Sequence, residues 1–359
     1  MPDIRQHNLI AVVRDIVAAA GSTGEEPALV AQNLVDANLS GHDSHGVGML
    51  PRYIACVHSG ELAPNQHAEV LNDGGATLVV DGKAGYGQVV GREAMAIGIE
   101  RAREHGVCTM TIRRSFHLCR IGAWAEQCAD AGMVSMHHVN VTGHSGLVAP
   151  FRGSDARFTT NPYACALPAT ANNPHVVLDF ATSAAAHGKV RVARNKGEAV
   201  PEGWLIDAKG KPTTDPNALF ATPRGALLPF GEHKGYGLAL VNELLAGVLS
   251  GGGTRRPEND RLHDTILNNM LSVIIDPGRF VDSAYYEQET DAMIEYVKAS
   301  PPSNAAEPVL VPGDPERAMM AERAANAVPV DDETWHEIER AGESVGLSQV
   351  KLRATAGLI

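Results

Sequence analysis

The sequence predicts an α/β (α+β) protein in which a central sheet domain is joined to a helical domain formed from both ends of the chain. Apolar residues recur at helical spacing near both termini, and strand-like apolar runs alternate with helical segments between about residues 75 and 300. The middle of the chain also lacks the glycine fingerprint of a Rossmann fold. The expected helical domain comprises residues 1–75 and 300–359, and residues 76–299 form the expected central sheet domain.

The first part of the chain is predicted to form helices. The segment NLIAVVRDIVAAAG has helical periodicity and ends at Gly21, a residue type common just after a helix. Ser22 and Glu25 have the spacing of a capping box, so a second helix is expected to run to about Ser40. Pro51 is tolerated only in the first turn of a helix, so a third helix begins just before it. The loop GHDSHGVG then leads into the N-terminus of that helix.

The middle and the tail continue this pattern. The expected strands are ATLVVDG, VCTMTI, MVSMHHV, HVVLDFAT and LSVIIDP. The expected helices between them are REAMAIGIERAREHG, RIGAWAEQCADAG and a long, buried one, KGYGLALVNELLAGVLSG. The tail returns to helices with PGDPERAMMAERAANAV and DDETWHEIERAGESVG, the latter capped by Asp331 or Asp332. Helical ends around an α/β middle are the basis for the two expected domains.

Composition limits the partners and the compartment. The 359 residues include 30 basic and 42 acidic ones, which give a net charge of −12. This balance repels nucleic acid and anionic membranes, so neither partner is expected, and an anionic substrate needs a local positive pocket. No apolar run is long enough to span a bilayer, and the N-terminus has no signal-peptide pattern. The cytoplasm is the expected location.

The cysteine pattern indicates a reduced protein. Five cysteines are an odd number and include no C-x-x-C pair, so neither a disulfide framework nor a zinc knuckle is expected. The chain also contains no H-E-x-x-H string and no Walker A string, and no metal site is predicted. Four of the cysteines are expected to be small buried apolar residues, while Cys119 stays a candidate because it falls within a possible site.

The nearest approach to a Rossmann fingerprint fails. The string GYGQVVG at residues 85–91 follows a strand and precedes a helix, but Val90 stands where the third glycine is required. An acidic residue is also missing at the expected distance beyond it. These glycines are therefore interpreted as a tight strand-to-helix turn.

The densest polar cluster lies in the GHDSHG loop. Asp43, Ser44 and His45 precede a helix whose first turn contains Arg52, where the helix dipole already favours anions. An imidazole that gives a proton near neutral pH, beside an arginine that binds a carboxylate, suits reduction of a 2-oxo acid. A solvated loop is the alternative that the residues leave open.

Three further segments carry candidate chemistry. His117 follows a strand and precedes a helix, where it either faces a site or fills the turn. Asp179 lies in an apolar strand, so its carboxylate is either structural or directed at a ligand. Lys234 stands among glycines at the start of a helix, a generic pattern that could hold a phosphate.

Taken together, these segments resemble the malate/L-lactate dehydrogenase family of NAD(P)-dependent oxidoreductases, closest to its bacterial hydroxycarboxylate dehydrogenase B branch. The resemblance runs nearly end to end and in order. The matching segments are GHDSHGVGMLPRY, SFHLCRIGAWAEQ, TNPYACALP, VLDFATSAAAHGKVRVA, GWLIDAKGKPTTDP and PFGEHKGYGLAL.

The resemblance implies a homodimer that binds NAD, with NADP as the alternative, in a non-Rossmann sheet domain and acts on a small 2-oxo or 2-hydroxy acid. It assigns the proton donor to His45, oriented by Ser44 and Asp43, and a shared acid–base or substrate-binding role to His117. The residues that it places against the cofactor are Asp179, Phe180, Ala181, His233, Lys234, Pro312, Gly313 and Asp314.

Three residues depart from the family pattern. Met49 stands where many members have arginine, so Arg52 becomes the expected carboxylate ligand and the pocket suits a larger or apolar substrate tail. Cys119 and Glu232 stand where glycine is usual or frequent. Two alternatives remain open: a cyclic ketimine reductase, and a catalytically silent protein that only binds the cofactor.

Overall fold

The computed structural model describes residues 1–259 and 265–359. The strands in these residues are β1 (Asp3–Ile4), β2 (Glu69–Asp73), β3 (Thr77–Asp81), β4 (Val107–Phe116), β5 (Val134–Thr142), β6 (Tyr163–Leu167), β7 (Val176–Phe180), β8 (Leu205–Ile206), β9 (Pro212–Thr213), β10 (Ala226–Leu227), β11 (Leu267–Ile275) and β12 (Val328–Pro329). A mixed seven-stranded sheet has the order β2-β3-β4-β11-β5-β6-β7. Among its strand pairs in the described residues, only β3–β4 is parallel.

Helices surround this sheet. They are α1 (Gln6–Ala19), α2 (Glu26–Leu39), α3 (Leu50–Ser59), α4 (Gly87–His105), α5 (Gly122–Asp130), α6 (His187–Lys196), α7 (His233–Asn242), α8 (Ser283–Lys298), α9 (Asp314–Ala325), α10 (Asp332–Ser344) and α11 (Gln349–Ala356). Helix α7 continues as a π-helix over Glu243–Val248. Within the described parts of the chain, none of them combines the length and apolarity needed to cross a membrane.

The helices near the two chain ends share one hydrophobic core. Leu9 of α1, Trp335 of α10 and Leu352 of α11 are buried together in it. A buried charge also links α10 and α11, because Glu339 accepts hydrogen bonds from Trp335 Nε1 at 2.9 Å and from Arg353 Nε at 2.6 Å. Pairing and hydrogen bonding make such a buried carboxylate tolerable.

The two larger of the remaining cores lie around the sheets. Met110 of β4 and Met270 of β11 pack with Met95 of α4 and Trp124 of α5 against the large sheet. A smaller core, which includes Leu205, forms around the short strands β8 and β10. Side chains from the terminal-helix core and from these two cores line one cavity, which therefore lies where the three cores meet.

Several local predictions are confirmed. Helix α3 begins at Leu50 with Pro51 in its first turn, and Gly106 ends α4 with a φ of 85°. Asp331 caps α10 by accepting a hydrogen bond from the backbone N–H of Thr334. The capping box at the second helix is wrong, because α2 begins at Glu26 and has no side-chain cap.

The GYGQVVG string matches its predicted role only at Gly85, which lies in the turn between β3 and α4 and donates its N–H to the Gly82 carbonyl. Gly87 and Gly91 lie inside the first turns of α4, not in a turn before it. The cause is close packing, since a Cβ at Gly91 would lie 2.7 Å from the Trp124 ring. Gly87 likewise lies against the backbone of His117, which it allows to approach the helix.

Some elements were not predicted. Strand β6 lies within the motif TNPYACALP, and α6, α8 and α11 are further helices. The segment expected to be one long buried helix is instead exposed along one apolar face, where Leu240, Val241, Leu244 and Val248 are 37% to 57% exposed. The apolar periodicity predicted the helix, but it could not show whether the apolar side of that helix is buried.

Candidate active site

A cavity of about 1360 Å³ brings together residues that are far apart in the sequence. Nine of the expected site residues line it: Asp43, Ser44, His45, Met49, Arg52, His117, Asp179, Phe180 and Ala181. The other expected residues, His233, Lys234, Pro312, Gly313 and Asp314, are not part of its lining among the described residues. The cavity is large enough for a small acid together with part of a dinucleotide.

The loop before α3 is held by Asn38. The Asn38 side chain accepts a hydrogen bond from the Val47 backbone N–H at 2.8 Å and donates one to Asp43 at 2.7 Å. Asp43 also forms a bidentate ion pair with Arg323 of α9, at 2.7 and 3.0 Å. Asp43 was expected to orient the imidazole of His45, but its described contacts are with Asn38 and Arg323, so it fixes the loop instead.

His45 has a different neighbour. Its Nδ1 lies 2.9 Å from Ser44 Oγ, and its backbone carbonyl accepts a hydrogen bond from Cys119 Sγ at 3.0 Å. The His45 ring stacks on His117, with centroids 5.5 Å apart and planes inclined by 22°. Ser44 is therefore placed to orient His45, and the two imidazoles lie side by side in the cavity wall.

His117 follows β4 directly, as the sequence indicated. Its Nδ1 lies 2.7 Å from Tyr53 Oη, which in turn accepts a hydrogen bond from Gln88 Nε2 at 3.1 Å. Sequence reasoning missed both partners. They lie on α3 and α4, and only the fold brings them behind the histidine.

Burial keeps both histidines neutral at neutral pH. For His45, burial together with the nearby His42 and Arg120 lowers the pKa to about 4. For His117, burial and then the neighbouring His45 and Arg52 lower the pKa well below its ordinary range. Neutral imidazole is the form that accepts a proton from an alcohol.

One wall of the cavity is basic. The basic residues that line it there are Arg52, His144, His187, Arg191 and Arg224. Burial, and then the charges of the other four, lower the pKa of His187 to about 4. These side chains supply the local positive surface that the acidic chain needs for an anionic substrate.

Helix α6 contributes part of this basic wall and packs against the loop that contains Ser44. A Cβ at Gly188 would lie 3.0 Å from Ser44 Cβ, so the first turn of α6 packs against the loop. His187 and Arg191 are four residues apart and therefore share a face of α6. The four-residue spacing of His187 and Arg191, within VLDFATSAAAHGKVRVA, could have indicated that the two basic side chains share a helix face. It could not have indicated that this face lines the cavity.

Another part of the cavity lining, around Arg120, fits a phosphate-bearing cofactor. Arg120 is 5% exposed and binds Glu126, yet its Nη1 has no hydrogen-bond partner. A Cβ at Gly122 would lie 2.6 Å from that nitrogen and 2.8 Å from Asp179 Oδ2, which accepts the Gly122 N–H. A buried cationic donor beside the N-terminus of α5 suits an anionic group.

Comparisons with known proteins decide the family. Residues 4–339 match the family model described as malate/L-lactate dehydrogenase. The chain is 45% identical over 343 residues to hydroxycarboxylate dehydrogenase B of Escherichia coli strain K12, covering 95% of this chain and 94% of that protein. This protein belongs to the malate/L-lactate dehydrogenase family.

Solved structures agree with that assignment. A proposed malate/lactate dehydrogenase from E. coli superposes with a TM-score of 0.95 at 42% identity, covering 100% of this chain and 99% of that chain. A Δ1-piperideine-2-carboxylate reductase from Pseudomonas syringae superposes with a TM-score of 0.82 at 28% identity, covering 95% and 100%. Dehydrogenases of this family use nicotinamide cofactors, which fits the cavity wall around Arg120.

Cys119 and Glu232, which stand where the family usually or frequently has glycine, both have a positive backbone φ. Cys119 has a φ of 62°, and Glu232 has a φ of 56° with a ψ of −112°. Glycine adopts these conformations without a Cβ penalty, which explains why it is usual there. Cys119 is compensated by its hydrogen bond to the His45 carbonyl, whereas the Glu232 side chain is exposed.

Replacing Glu232 with glycine is expected to stabilise the protein by about 1 kcal/mol, because the strained backbone is relieved. For a chain of this size, Tm should rise by about 2 °C. Thermal unfolding of Glu232→Gly checks this, with Glu232→Ala as the control that removes the charge but keeps the Cβ. Equal Tm values for Glu232→Gly and Glu232→Ala would show that the backbone at residue 232 is not strained.

The remaining expected cofactor residues lie outside the cavity lining. His233 and Lys234 are exposed at the N-terminus of α7. Phe230, in the segment before α7, contacts the cavity residue Phe180 with ring centroids 5.4 Å apart. Asp314 is engaged within the chain by Lys298 at 2.9 Å and Arg317 at 2.6 Å. Although burial opposes it, the Val311 N–H and these cations hold the pKa of Asp314 at about 2.

Proposed function

We propose that this protein transfers a hydride reversibly between NAD(P)H and a small 2-oxo acid, which becomes a 2-hydroxy acid. The observation that carries this proposal is the stacked pair His45 and His117 in a cavity that is also lined by Arg52. Proton transfer to the carbonyl oxygen and recognition of the carboxylate are the two tasks that the reaction demands of the protein. Membership of the dehydrogenase family disfavours a catalytically silent protein.

Each of these residues has a role in the proposed reaction that follows from its position in the cavity. His45 gives its proton to the developing alkoxide in reduction and takes it back in oxidation, while Ser44, 2.9 Å away, orients the ring. Arg52, in the first turn of α3, binds the carboxylate. The nicotinamide cofactor, when bound, supplies or accepts the hydride. Asp43 acts by fixing the loop through Arg323.

An assay panel tests this function. Pyruvate, phenylpyruvate, oxaloacetate and 2-oxoglutarate are each offered with NADH and with NADPH, and loss of reduced cofactor is followed. Turnover of at least one 2-oxo acid is expected, and the ratio of the two cofactors decides between NAD and NADP. We propose NAD as the main cofactor, with NADP as the alternative outcome.

Arg120 and Lys234 are proposed to bind cofactor phosphates. One charge-assisted contact contributes about 1.5–3 kcal/mol, so Arg120→Met should weaken NADH binding by roughly 10- to 100-fold. Lys234→Ala should weaken it by up to about tenfold, since this lysine is more exposed. Fluorescence titration measures both, with the exposed Arg92→Met as control. Unchanged dissociation constants would place the cofactor elsewhere.

Met49 is proposed to face the substrate tail. Arg52→Met should raise KM for every 2-oxo acid, because the carboxylate is common to all. Met49→Arg should raise the kcat/KM ratio of oxaloacetate to phenylpyruvate by about tenfold, since only oxaloacetate has a second carboxylate to bind the new cation. A ratio that stays constant would show that position 49 does not face the substrate tail.

The runner-up reaction is reduction of a cyclic ketimine acid, favoured by the likeness to the P. syringae reductase. It needs the same hydride but places the proton on nitrogen. Adding Δ1-piperideine-2-carboxylate to the assay panel separates the two functions. A kcat/KM for the ketimine far above that of every 2-oxo acid would favour the runner-up.

We further propose that the cofactor is bound in a non-Rossmann manner and that residues 1–75 and 300–359 form a helical domain. Two features support this. The single parallel pair in the seven-stranded sheet differs from the mostly parallel Rossmann sheet, and the helices of both chain ends share one core. Residues 76–299 are then the cofactor-binding domain.

A homodimer and a cytoplasmic location complete the proposal. The exposed apolar face formed by Leu240, Val241, Leu244 and Val248 is the kind of surface that a second copy buries. Sedimentation should then give twice the chain mass of 38.0 kDa. None of the five cysteines forms a disulfide in the described parts of the chain, which suits the reducing cytoplasm.

A further inference from the structure

Behind His117 lies a buried hydrogen-bond chain that the reaction described above does not use. Tyr53 is fully buried, Gln88 is 2% exposed and His117 is 8% exposed. Gln88 Nε2 lies 3.1 Å from Tyr53 Oη, which lies 2.7 Å from His117 Nδ1. The chain therefore runs from α4 through α3 to the end of β4.

The chain has a direction. Tyr53 Oη accepts the Gln88 N–H, and its own single hydrogen is then available for His117 Nδ1. Burial raises the pKa of Tyr53 well above its ordinary value, so the hydroxyl keeps that hydrogen. Burial also lowers the pKa of His117, which keeps the ring neutral. A neutral imidazole whose Nδ1 accepts carries its one proton on Nε2.

We propose that Tyr53 is a positioning residue that fixes His117 as the neutral Nε2–H tautomer, making His117 a permanent hydrogen-bond donor to the substrate oxygen while His45 alone gives and takes the proton. The inference rests on the proposed function, because it assigns the two histidines of that site to different tasks. His117 neither gains nor loses a proton in either direction of the reaction.

The stacking of the two rings supports this division. His45 and His117 lie with centroids 5.5 Å apart, so protonating both would place two positive charges side by side next to Arg52. A neutral N–H donor stabilises the developing alkoxide without a second charge. The proton can then reside on His45 alone.

The Tyr53 ring is held independently of its hydroxyl. It makes edge contacts with Phe116 at 5.2 Å and with Tyr86 at 6.0 Å between centroids. Tyr53→Phe should therefore fold normally and remove only the hydrogen bond to His117. Tyr86→Phe removes a buried hydroxyl from the same aromatic cluster without touching His117, which makes it a matched control.

The first test is the tautomer of His117 in the full-length protein, with and without NADH. Nitrogen-15 NMR, with the His117 signals assigned by their absence in His117→Gln, should show Nδ1 as acceptor and Nε2 as protonated. In Tyr53→Phe the signals should shift towards a mixture of tautomers, whereas Tyr86→Phe should match the wild type. An Nδ1–H tautomer in the wild type would overturn the proposal.

The second test is kinetic. Tyr53→Phe should lower kcat for 2-oxo acid reduction by about 10-fold without changing NADH affinity. The same change should have no further effect in a His117→Ala background, because the hydroxyl acts only through His117. Equal losses in both backgrounds would make Tyr53 merely structural. If no 2-oxo acid is reduced at all, the proposed function fails, and the NMR result still decides the tautomer.

Discussion

Replacing His45 with alanine is expected to lower kcat for 2-oxo acid reduction by about 10²- to 10⁴-fold, the usual range for a lost general acid. The His45 ring stacks on His117 and is oriented by Ser44. No other described imidazole takes the position of His45, so none is placed to replace it as the proton donor. Steady-state kinetics with the best 2-oxo acid and saturating NADH measure the loss. NADH affinity should stay close to that of the wild type, because the proton donor is not a phosphate ligand.

The matched control is His67→Ala. This histidine is exposed and bound to Glu93 at 2.7 Å, outside the cavity, so its loss should leave kcat unchanged. A His45→Ala enzyme with near wild-type turnover would refute the assignment of the proton donor. If His117→Ala alone abolished turnover, the two histidines would exchange roles.

The kcat/KM values for the two directions of the reaction should depend differently on pH. Burial, His42 and Arg120 lower the pKa of His45 to about 4 in the free enzyme. Oxidation of the 2-hydroxy acid needs neutral His45, so its kcat/KM should be flat from about pH 6 to 8 and fall only as pH approaches 4. Reduction needs the protonated form, so its kcat/KM should fall about tenfold per pH unit across the same range.

Between about pH 6 and pH 8 the kcat/KM for reduction should therefore fall by about 10²-fold. An unperturbed histidine, with a pKa of about 6.5, would instead give a plateau for reduction below about pH 6. Rate profiles in both directions at fixed ionic strength distinguish the two cases. A reduction plateau extending to about pH 6 would mean that the free-enzyme pKa of His45 is not lowered by its burial.

Local features of the fold could be predicted because their causes lie within a few residues. Pro51 requires a first helical turn, Gly106 ends α4 in the left-handed conformation, and Asp331 caps α10. The same reasoning failed for Ser22 and Glu25. The spacing of a capping box permits a cap but does not exclude another start for the helix.

The candidate site was predictable only in part. His45, Arg52 and His117 could be found from residue type and local position, and all three line the cavity. Tyr53 and Gln88 could not, since a buried tyrosine and glutamine inside helices have no distinguishing local pattern. Their role depends on the packing of α3 and α4 against the end of β4.

Two other differences have the same origin. Asp43 is adjacent to Ser44 and His45, yet its carboxylate binds Arg323, which is 280 residues away in the chain. Gly87 and Gly91 suggested a turn, but the structure uses them for close contact with β4 and α5. Sequence neighbours indicate which groups are available, and the tertiary packing decides which of them meet.

The central claim is hydride transfer to the carbonyl carbon of a 2-oxo acid, and isotope transfer tests it most directly. The wild-type enzyme is given NADH or NADPH deuterated at nicotinamide C4 together with the best 2-oxo acid, and the product is analysed by mass spectrometry and proton NMR. The expected product is a 2-hydroxy acid that carries deuterium at C2. Failure to transfer deuterium to any 2-oxo acid with either cofactor would contradict it.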